Sequence, residues 1–457
     1  MLLFMKTKDM FKRRKVLYSP FLLFSPFLLL SIVLILLYST PSVMDGDENK
    51  YLGFANNLIH GFYSLPAPNI YLAVGPGYPL LIAPLIALKI PIICITLINA
   101  FLYYLSIIFL FKTLLQIVDK RVAVTVSLFW ALYYNLYESF QFIGPEILAP
   151  FLFSLLLYFL VKSFVSKHIL SDKYIYLAGL TLGYIALSKI IFGYVILCMI
   201  IGNGLLWIFN RNSINYSKGL MILIVALITT SPYLLYTYSL TGRIFYWGTT
   251  AGNNMYWMST PFEKEFGSWS PEPIHVEDSM VSMKSNSEFR RNEYNKMITN
   301  GGQIPGYDEY IWYNHHKNFV EIKKIKGVEQ DDVLKRIAIN NIRAHPVKYI
   351  QNCFSNVGRI FFNFPYSYKL QNPGTLLRIP LNGIILTLLL FSLYPTLLNW
   401  KKLIYPIRFS IFIFVLYFGG SLTGSAEIRM FTVIVPILLI WISFVLQRSL
   451  KINWRFD

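Results

Sequence analysis

Met44-Asp45-Gly46-Asp47-Glu48-Asn49-Lys50-Tyr51 places three carboxylates within four residues, directly after an uncharged apolar run over 17–40. A run of about 24 residues is long enough to cross a bilayer as a helix. The acids therefore stand at the far mouth of a first membrane span. A polar cap on a helix end is the plain explanation of such a cluster, and the charges further along the chain decide whether it suffices.

Working outward, the composition is that of a membrane protein. Hydrophobic residues make up 55% of the chain and charged residues 14%, where a soluble domain averages roughly 25% charged; the mean hydropathy is +0.50. The net charge of +18 invites a nucleic-acid partner. The cations instead collect at the ends of apolar runs, as the positive-inside rule predicts, so no nucleic acid is expected. Cys94, Cys198 and Cys353 are odd in number and far apart, which gives neither a disulfide framework nor a metal spacing. The basic arm Lys6, Lys8, Lys12, Arg13, Arg14 and Lys15 precedes an apolar run too long for a signal peptide, and reads as the cytoplasmic flank of an uncleaved anchor.

The pattern predicts about ten transmembrane helices. Span one covers 17–40, and an outer loop over 41–90 carries the acids, Gly75-Pro76-Gly77-Tyr78-Pro79 and an interfacial apolar piece at 80–88. Spans two to four follow at 91–116, 122–138 and 145–161. The stretch 174–209 is interrupted only by Lys189. As one helix it would be about 54 Å long, nearly twice the hydrocarbon thickness, so it divides into two spans meeting outside near Lys189. Span seven lies at 217–237, and spans eight to ten at 379–399, 407–423 and 430–447. Both termini are then cytoplasmic, and the later cations fall on the cytoplasmic side. The hydrophilic segment 238–376 becomes an α-rich extracytoplasmic domain between a transmembrane module (1–237) and C-terminal transmembrane helices (377–457). Within it, Asp331-Asp332 reads as a helix start and Pro346 as the opening of a second helix reaching about residue 362. The fold class is an all-α polytopic membrane protein.

This topology gathers ionisable residues at the outer mouths of the spans: Asp45, Asp47 and Glu48, then Glu138 and Glu146, Lys189, Arg243, and Glu427 with Arg429. Ionisable groups at membrane depth are expensive and usually functional. One chemistry that needs acids and cations at an outer surface is group transfer from a lipid phosphate. A carboxylate accepts the acceptor's proton, and a cation holds the leaving phosphate as its charge grows. Apolar surroundings are expected to raise such a carboxylate's pKa towards working pH. The adjacent acids are also compatible with a divalent cation. There is no Gly-rich phosphate loop for a nucleotide.

The run from Asp47 to Gly61 resembles the first outer loop of polyprenyl-phosphate-sugar-dependent membrane glycosyltransferases, the superfamily of the protein O-mannosyltransferases and the lipid A aminoarabinose transferase, with the GT-C fold. That loop reads D-x-x-x-Y-x-x-x-A-x-x-L-x-x-G and then P-P-G-Y-P; here Gly75-Pro76-Gly77-Tyr78-Pro79 takes the second place. Gly144-Pro145-Glu146, Ser188-Lys189, Gly242-Arg243, Arg343-Ala344-His345-Pro346 and Ala426-Glu427-Ile428-Arg429 resemble further family motifs in order. Lys189 stands where the family has Arg, and Ile428-Arg429-Met430 where it has R-Y-R; a lysine is a point charge rather than a fork.

The resemblance implies an inverting glycosyltransferase moving a sugar from a polyprenyl-phosphate donor in the bilayer to an extracytoplasmic lipid, glycan or protein acceptor. It implies Asp47 as general base, with Glu48 and Glu146 as further catalytic acids. Asp45, Tyr51, Tyr78, Lys189, Arg243 and Arg429 would bind substrate, and Asp45 pairs with Asp47 or helps hold a metal; no metal ligand set is assigned. The competing classes are a polysaccharide polymerase or ligase, which would rely on outer-loop arginines, and a multispan transporter or flippase, in which polar residues gather at mid-membrane.

Overall fold

The computed structural model describes residues 19–38, 47–164, 169–209, 213–270, 307–322, 324–367 and 376–449. Asp45, the basic N-terminal arm and the middle of the hydrophilic segment lie outside them. Among the described residues every regular element is a helix: α1 Pro20–Tyr38, α2 Asp47–Ile59, α3 Gly77–Ala87, α4 Ile92–Ile117, α5 Lys120–Ala131, α6 Leu148–Ser163, α7 Lys173–Ser188, α8 Ile191–Phe209, α9 Ile214–Thr241, α10 Ala251–Met258, α11 Tyr307–Ile322, α12 Gly327–Ala344, α13 Pro346–Phe362, α14 Arg378–Leu398, α15 Tyr405–Thr423 and α16 Ile428–Ser449, with 3-10 turns at Tyr134–Phe140 and Trp400–Lys402.

Seven of these, α1, α4, α8, α9, α14, α15 and α16, are long and apolar enough to cross a membrane. The expected third, fourth and fifth spans are the shorter helices α5, α6 and α7. The third differs most from expectation. It stops at Ala131 and continues as the 3-10 turn, because Tyr133 and Asn135 turn aside to bond Asn382 of α14: the Asn135 amide and the Tyr133 hydroxyl both donate to its Oδ1, at 2.9 and 2.5 Å. The division of 174–209 falls at Lys189, which caps α7 in an extended conformation.

The bundle is built around α16. Residues 431–445 are buried without a break, as a helix apolar on all sides requires. It packs against α4, α5, α6, α13, α14 and α15. Elsewhere, α7 lies against α9 through small residues. A Cβ at Gly183 would come within 2.8 Å of the Ala226 carbonyl, and one at Gly179 within 2.5 Å of Val225. The acid pair Asp331-Asp332 does not start α12, which begins four residues earlier at Gly327. Tertiary partners claim these acids instead. Asp331 accepts from the Gly252 N–H at 2.5 Å and pairs with Lys335, and Asp332 accepts from Arg243 at 2.7 Å. Pro346 opens α13 as expected. Outside the main core, Tyr256, Trp257, Ile311, Phe319, Ile322 and Leu334 form a second apolar cluster. At its polar centre His315 bridges the Tyr256 hydroxyl (2.7 Å) and the Glu265 carboxylate (3.0 Å).

The α7–α9 contact is directly testable. Gly183→Leu is expected to cost about 1–3 kcal/mol through overpacking and to lower the melting temperature in detergent. Gly383→Ala in α14, where a Cβ meets nothing within 4 Å, is expected to leave it unchanged or slightly higher.

Candidate active site

The first turn of α2 carries Asp47 and Glu48, where a helix N-terminus favours negative charge. Lys50, one turn on, donates to Asp47 Oδ1 at 2.8 Å. Tyr51 follows on the buried face, its ring edge-on to Tyr78 with centroids 5.4 Å apart. The opposite wall comes from the loop before α6. Glu48 Oε1 accepts from the Ile143 N–H at 3.0 Å, which ties this loop to α2. Gly144 leaves the Glu146 carboxylate its place there: a Cβ would fall 2.2 Å from Glu146 Oε2 and 3.5 Å from the Tyr51 ring. The Gly75-Pro76-Gly77 turn rests on the end of α7 for a similar reason. A Cβ at Gly75 would meet the Leu187 carbonyl at 2.1 Å, and one at Gly77 the Ser188 hydroxyl at 2.3 Å. That close approach sets Tyr78 beside the α7–α8 junction.

Arg429, in the first turn of α16, joins these pieces. Its Nη1 donates to Asp47 Oδ2 at 2.8 Å and lies 3.8 Å from Glu146 Oε1, while its Nε lies 2.8 Å from Glu427 Oε2. Lys189 donates to Glu146 Oε1 at 3.2 Å. One guanidinium therefore reaches three carboxylates drawn from α2, the loop before α6 and the loop before α16. The arginine is held from behind. Buried Asn356 and Arg359 of α13 fix the chain just before α16: Asn356 donates to the Leu422 and Gly424 carbonyls at 3.0 and 2.5 Å, and Arg359 Nε to that of Ala426 at 3.2 Å.

These groups face a pocket of ≈ 530 Å³ lined by Asp47, Glu48, Tyr51, Glu146, Glu427 and Arg429, with Glu138 and Arg378 on its other side. Arg378 pairs with Glu138. The lining thus holds five carboxylates against two guanidiniums. Among the described residues no group of three or more His, Cys, Asp or Glu is arranged to hold a metal ion.

The electrostatics differ from the sequence expectation of a raised carboxylate pKa. Burial does push Asp47 up, but Arg429 and Lys50 outweigh it and hold the carboxyl at about 2. Two cations at hydrogen-bonding distance of Asp47 defeat desolvation. Glu146 is held by Lys189 at 3.2 Å, with Arg429 at 3.8 Å. Burial, with Glu146 nearby, pushes the Tyr51 and Tyr78 phenols up, so both are neutral donors. Exposure separates the two acids: Glu146 is buried at 7%, while the Asp47 side chain is 35% exposed. Asp47 is open to the pocket, and Glu146 lies against Lys189 and Arg429.

Of the residues singled out from sequence, Asp47, Glu48, Tyr51, Glu146 and Arg429 line one pocket, with Tyr78 and Lys189 directly behind it. Asp45 lies outside the described residues. Arg243 is not in the lining and is engaged with Asp332. Arg378 was not singled out. It has the same signal as the others, a charge at the start of an apolar run on this face. Asn356 and Arg359 carried no such signal.

No protein-family model and no curated protein sequence matches the chain. Among solved structures it is similar to ArnT from Cupriavidus metallidurans bound to undecaprenyl phosphate (10% identity, TM-score 0.40, covering 94% of this chain and 78% of that one). It is also similar to the oligosaccharyltransferase AglB from Archaeoglobus fulgidus in complex with an inhibitory peptide and a dolichol-phosphate (14% identity, TM-score 0.46, covering 94% and 50%). A third is the S. cerevisiae protein O-mannosyltransferase Pmt1-Pmt2 complex bound to the sugar donor (18% identity, TM-score 0.39, covering 56% and 38%). The chain spans well under two thirds of the length of the last two. With TM-scores below 0.5 these likenesses carry no argument about its chemistry, which has to come from the site itself.

The Asp47 pKa gives a pH prediction. Its folded value, about 2, lies below the ordinary 3.8, so its ion pairs stabilise the fold above that ordinary value and are lost as pH falls from there towards 2. The melting temperature of wild type should exceed that of Asp47→Asn by a constant margin from about pH 8 to about pH 5, and the margin should close in more acid solution.

Proposed function

We propose that this protein is an inverting glycosyltransferase that moves a sugar from a polyprenyl-phosphate donor to an extracytoplasmic lipid, glycan or protein acceptor. The observation that carries the reading is the Arg429 cluster: an accessible carboxylate held against cations, in a pocket at one end of an apolar helix bundle. A lipid-tethered phosphate resides at that level of a bilayer. The basic residues Lys120, Arg121, Lys162, Lys173, Lys218, Lys401 and Arg448 sit near the helix ends away from the pocket, which supports a cytoplasmic assignment for that end and an extracytoplasmic one for the site.

In this reading Asp47 accepts the proton of the acceptor's hydroxyl or amine as that atom bonds to the anomeric carbon. The bond from that carbon to the donor's phosphate oxygen breaks, the phosphate leaves with the electron pair, and a single displacement inverts the configuration. Arg429 holds the leaving phosphate, with Lys189 adding positive charge from behind the pocket wall. The low pKa of Asp47 then has a role. In the empty site Arg429 and Lys50 neutralise it, and a donor phosphate competes for Arg429. Releasing that cation raises the basicity of Asp47 only when the donor is in place. Glu146, buried on Lys189, keeps that lysine aimed. Glu48 braces α2 on the loop before α6. The reading places Tyr51 and Tyr78 as neutral hydrogen-bond donors near the sugar and the outer segment 238–376 as the region that chooses the acceptor.

The test is product analysis with purified protein in lipid, a panel of polyprenyl-phosphate sugars and a membrane extract as acceptor source. Wild type should release sugar from the lipid phosphate and yield a glycosylated product of inverted configuration. Asp47→Asn should lose roughly 10²–10⁴-fold in turnover. Arg429→Lys, which keeps the charge and loses the fork, should lose rate as well. Turnover unchanged in Asp47→Asn removes Asp47 as the base. Substrate uptake into vesicles without any product would replace the transferase reading by a transporter.

A further inference from the structure

A second pocket, of ≈ 380 Å³, lies at the other end of the bundle. It is walled by the last turns of α8, the start of α9, the 3-10 turn Trp400–Lys402 and the first turns of α15; Asn203, Leu206, Trp400, Tyr405, Arg408 and Phe412 define it. The helix α15 runs from this pocket to the chain that carries Arg429, 19 residues or about 28 Å. The two pockets are therefore nearly a hydrocarbon thickness apart, and the second plays no part in the chemistry above.

Its polar groups are unequal. Asn203 is satisfied: Oδ1 accepts from the Tyr405 hydroxyl at 2.7 Å, and Nδ2 donates to the Tyr216 carbonyl at 3.2 Å. Arg408 is not. Its guanidinium lies over the Tyr405 ring at 5.6 Å, and its buried Nε has no hydrogen-bond partner among the described residues. A buried guanidinium N–H without an acceptor is costly. At the rim, Leu206 is 38% and Phe412 43% exposed, so the mouth opens sideways through apolar surface, where a bilayer supplies hydrocarbon. Exposed Lys401 adds positive charge beside it.

We propose that this pocket binds an anionic phospholipid of the membrane leaflet away from the active site. Its phosphate accepts from Arg408, and one acyl chain lies against Leu206, Trp400 and Phe412. The occupant follows from the two halves of the pocket: a guanidinium that no carboxylate pairs among the described residues wants an anion, and a mouth open to hydrocarbon wants a chain attached to it.

Trp400 reports on occupancy. The purified full-length protein is reconstituted into phosphatidylcholine vesicles containing acyl-brominated phosphatidylglycerol or, separately, acyl-brominated phosphatidylcholine. The Trp400 signal is taken as the difference between wild type and Trp400→Phe. Brominated phosphatidylglycerol should quench Trp400 at roughly five-fold lower mole fraction than brominated phosphatidylcholine, about what one basic residue near a membrane surface provides. Arg408→Gln should remove that preference and Arg408→Lys should keep it. Equal quenching by the two lipids in wild type overturns the proposal, as does no quenching by either, or a preference that survives in Arg408→Gln. If Arg408→Gln fails to fold, the wild-type comparison decides alone.

Discussion

Arg429 is the constraint on which the rest of the site depends. A single guanidinium holds carboxylates from three separate parts of the chain, and each of those parts is fixed by a different packing device. Glu146 has room because residue 144 is glycine. Asp47 begins a helix whose next turn buries Tyr51 against Tyr78. Arg429 itself begins the helix with the largest buried share among the seven candidate spans, so its backbone is anchored by that packing. An arginine on a mobile loop would lose much of its ion-pair energy to ordering entropy; here the packing of 431–445 has already met that cost.

The same arrangement explains why Asp47 is a strong acid rather than a tuned base. Burial raises a carboxyl pKa only when the charge is left alone. Every acid near this pocket with a described partner is matched to a cation or a backbone N–H, and the matching wins at Asp47. A site built this way stays charged and ordered while empty. An anion that took a share of Arg429 would return basicity to Asp47. The acid excess in the lining limits how far that exchange can go without a further cation arriving with the substrate.

Much of this could be read in the sequence because membrane helices are written plainly. An apolar run ended by cations marks a span, and a 36-residue run broken by one lysine has to bend at that lysine, as it does at Lys189. Candidate site residues followed from asking which charges share a mouth. What stayed hidden has physical reasons. The break after Ala131 depends on Asn382, about 250 residues away, which no local pattern announces. Asn356 and Arg359 lie in α13, whose sequence reads as an ordinary amphipathic helix; that its polar side is buried against loop carbonyls is a tertiary fact. Arg243 looked like its neighbours at the outer mouths, yet Asp332, far along the chain, had the stronger claim on it. Charge type and level are local; partner choice is not.

Helix length completes the argument. The α6 and α7 helices have 16 residues each and rise about 24 Å, less than a hydrocarbon core of about 30 Å. Glu146 and Lys189 stand at their pocket-side ends. The ion pair is largely buried, its side chains 9% and 20% exposed, so solvent screens it weakly. The longer helices α4 and α9, with 26 and 28 residues, pack against α6 and α7 respectively and hold those ends in place. The two short helices thus bring Glu146 and Lys189 to the charged pocket, and Arg429 joins them from the first turn of the central helix.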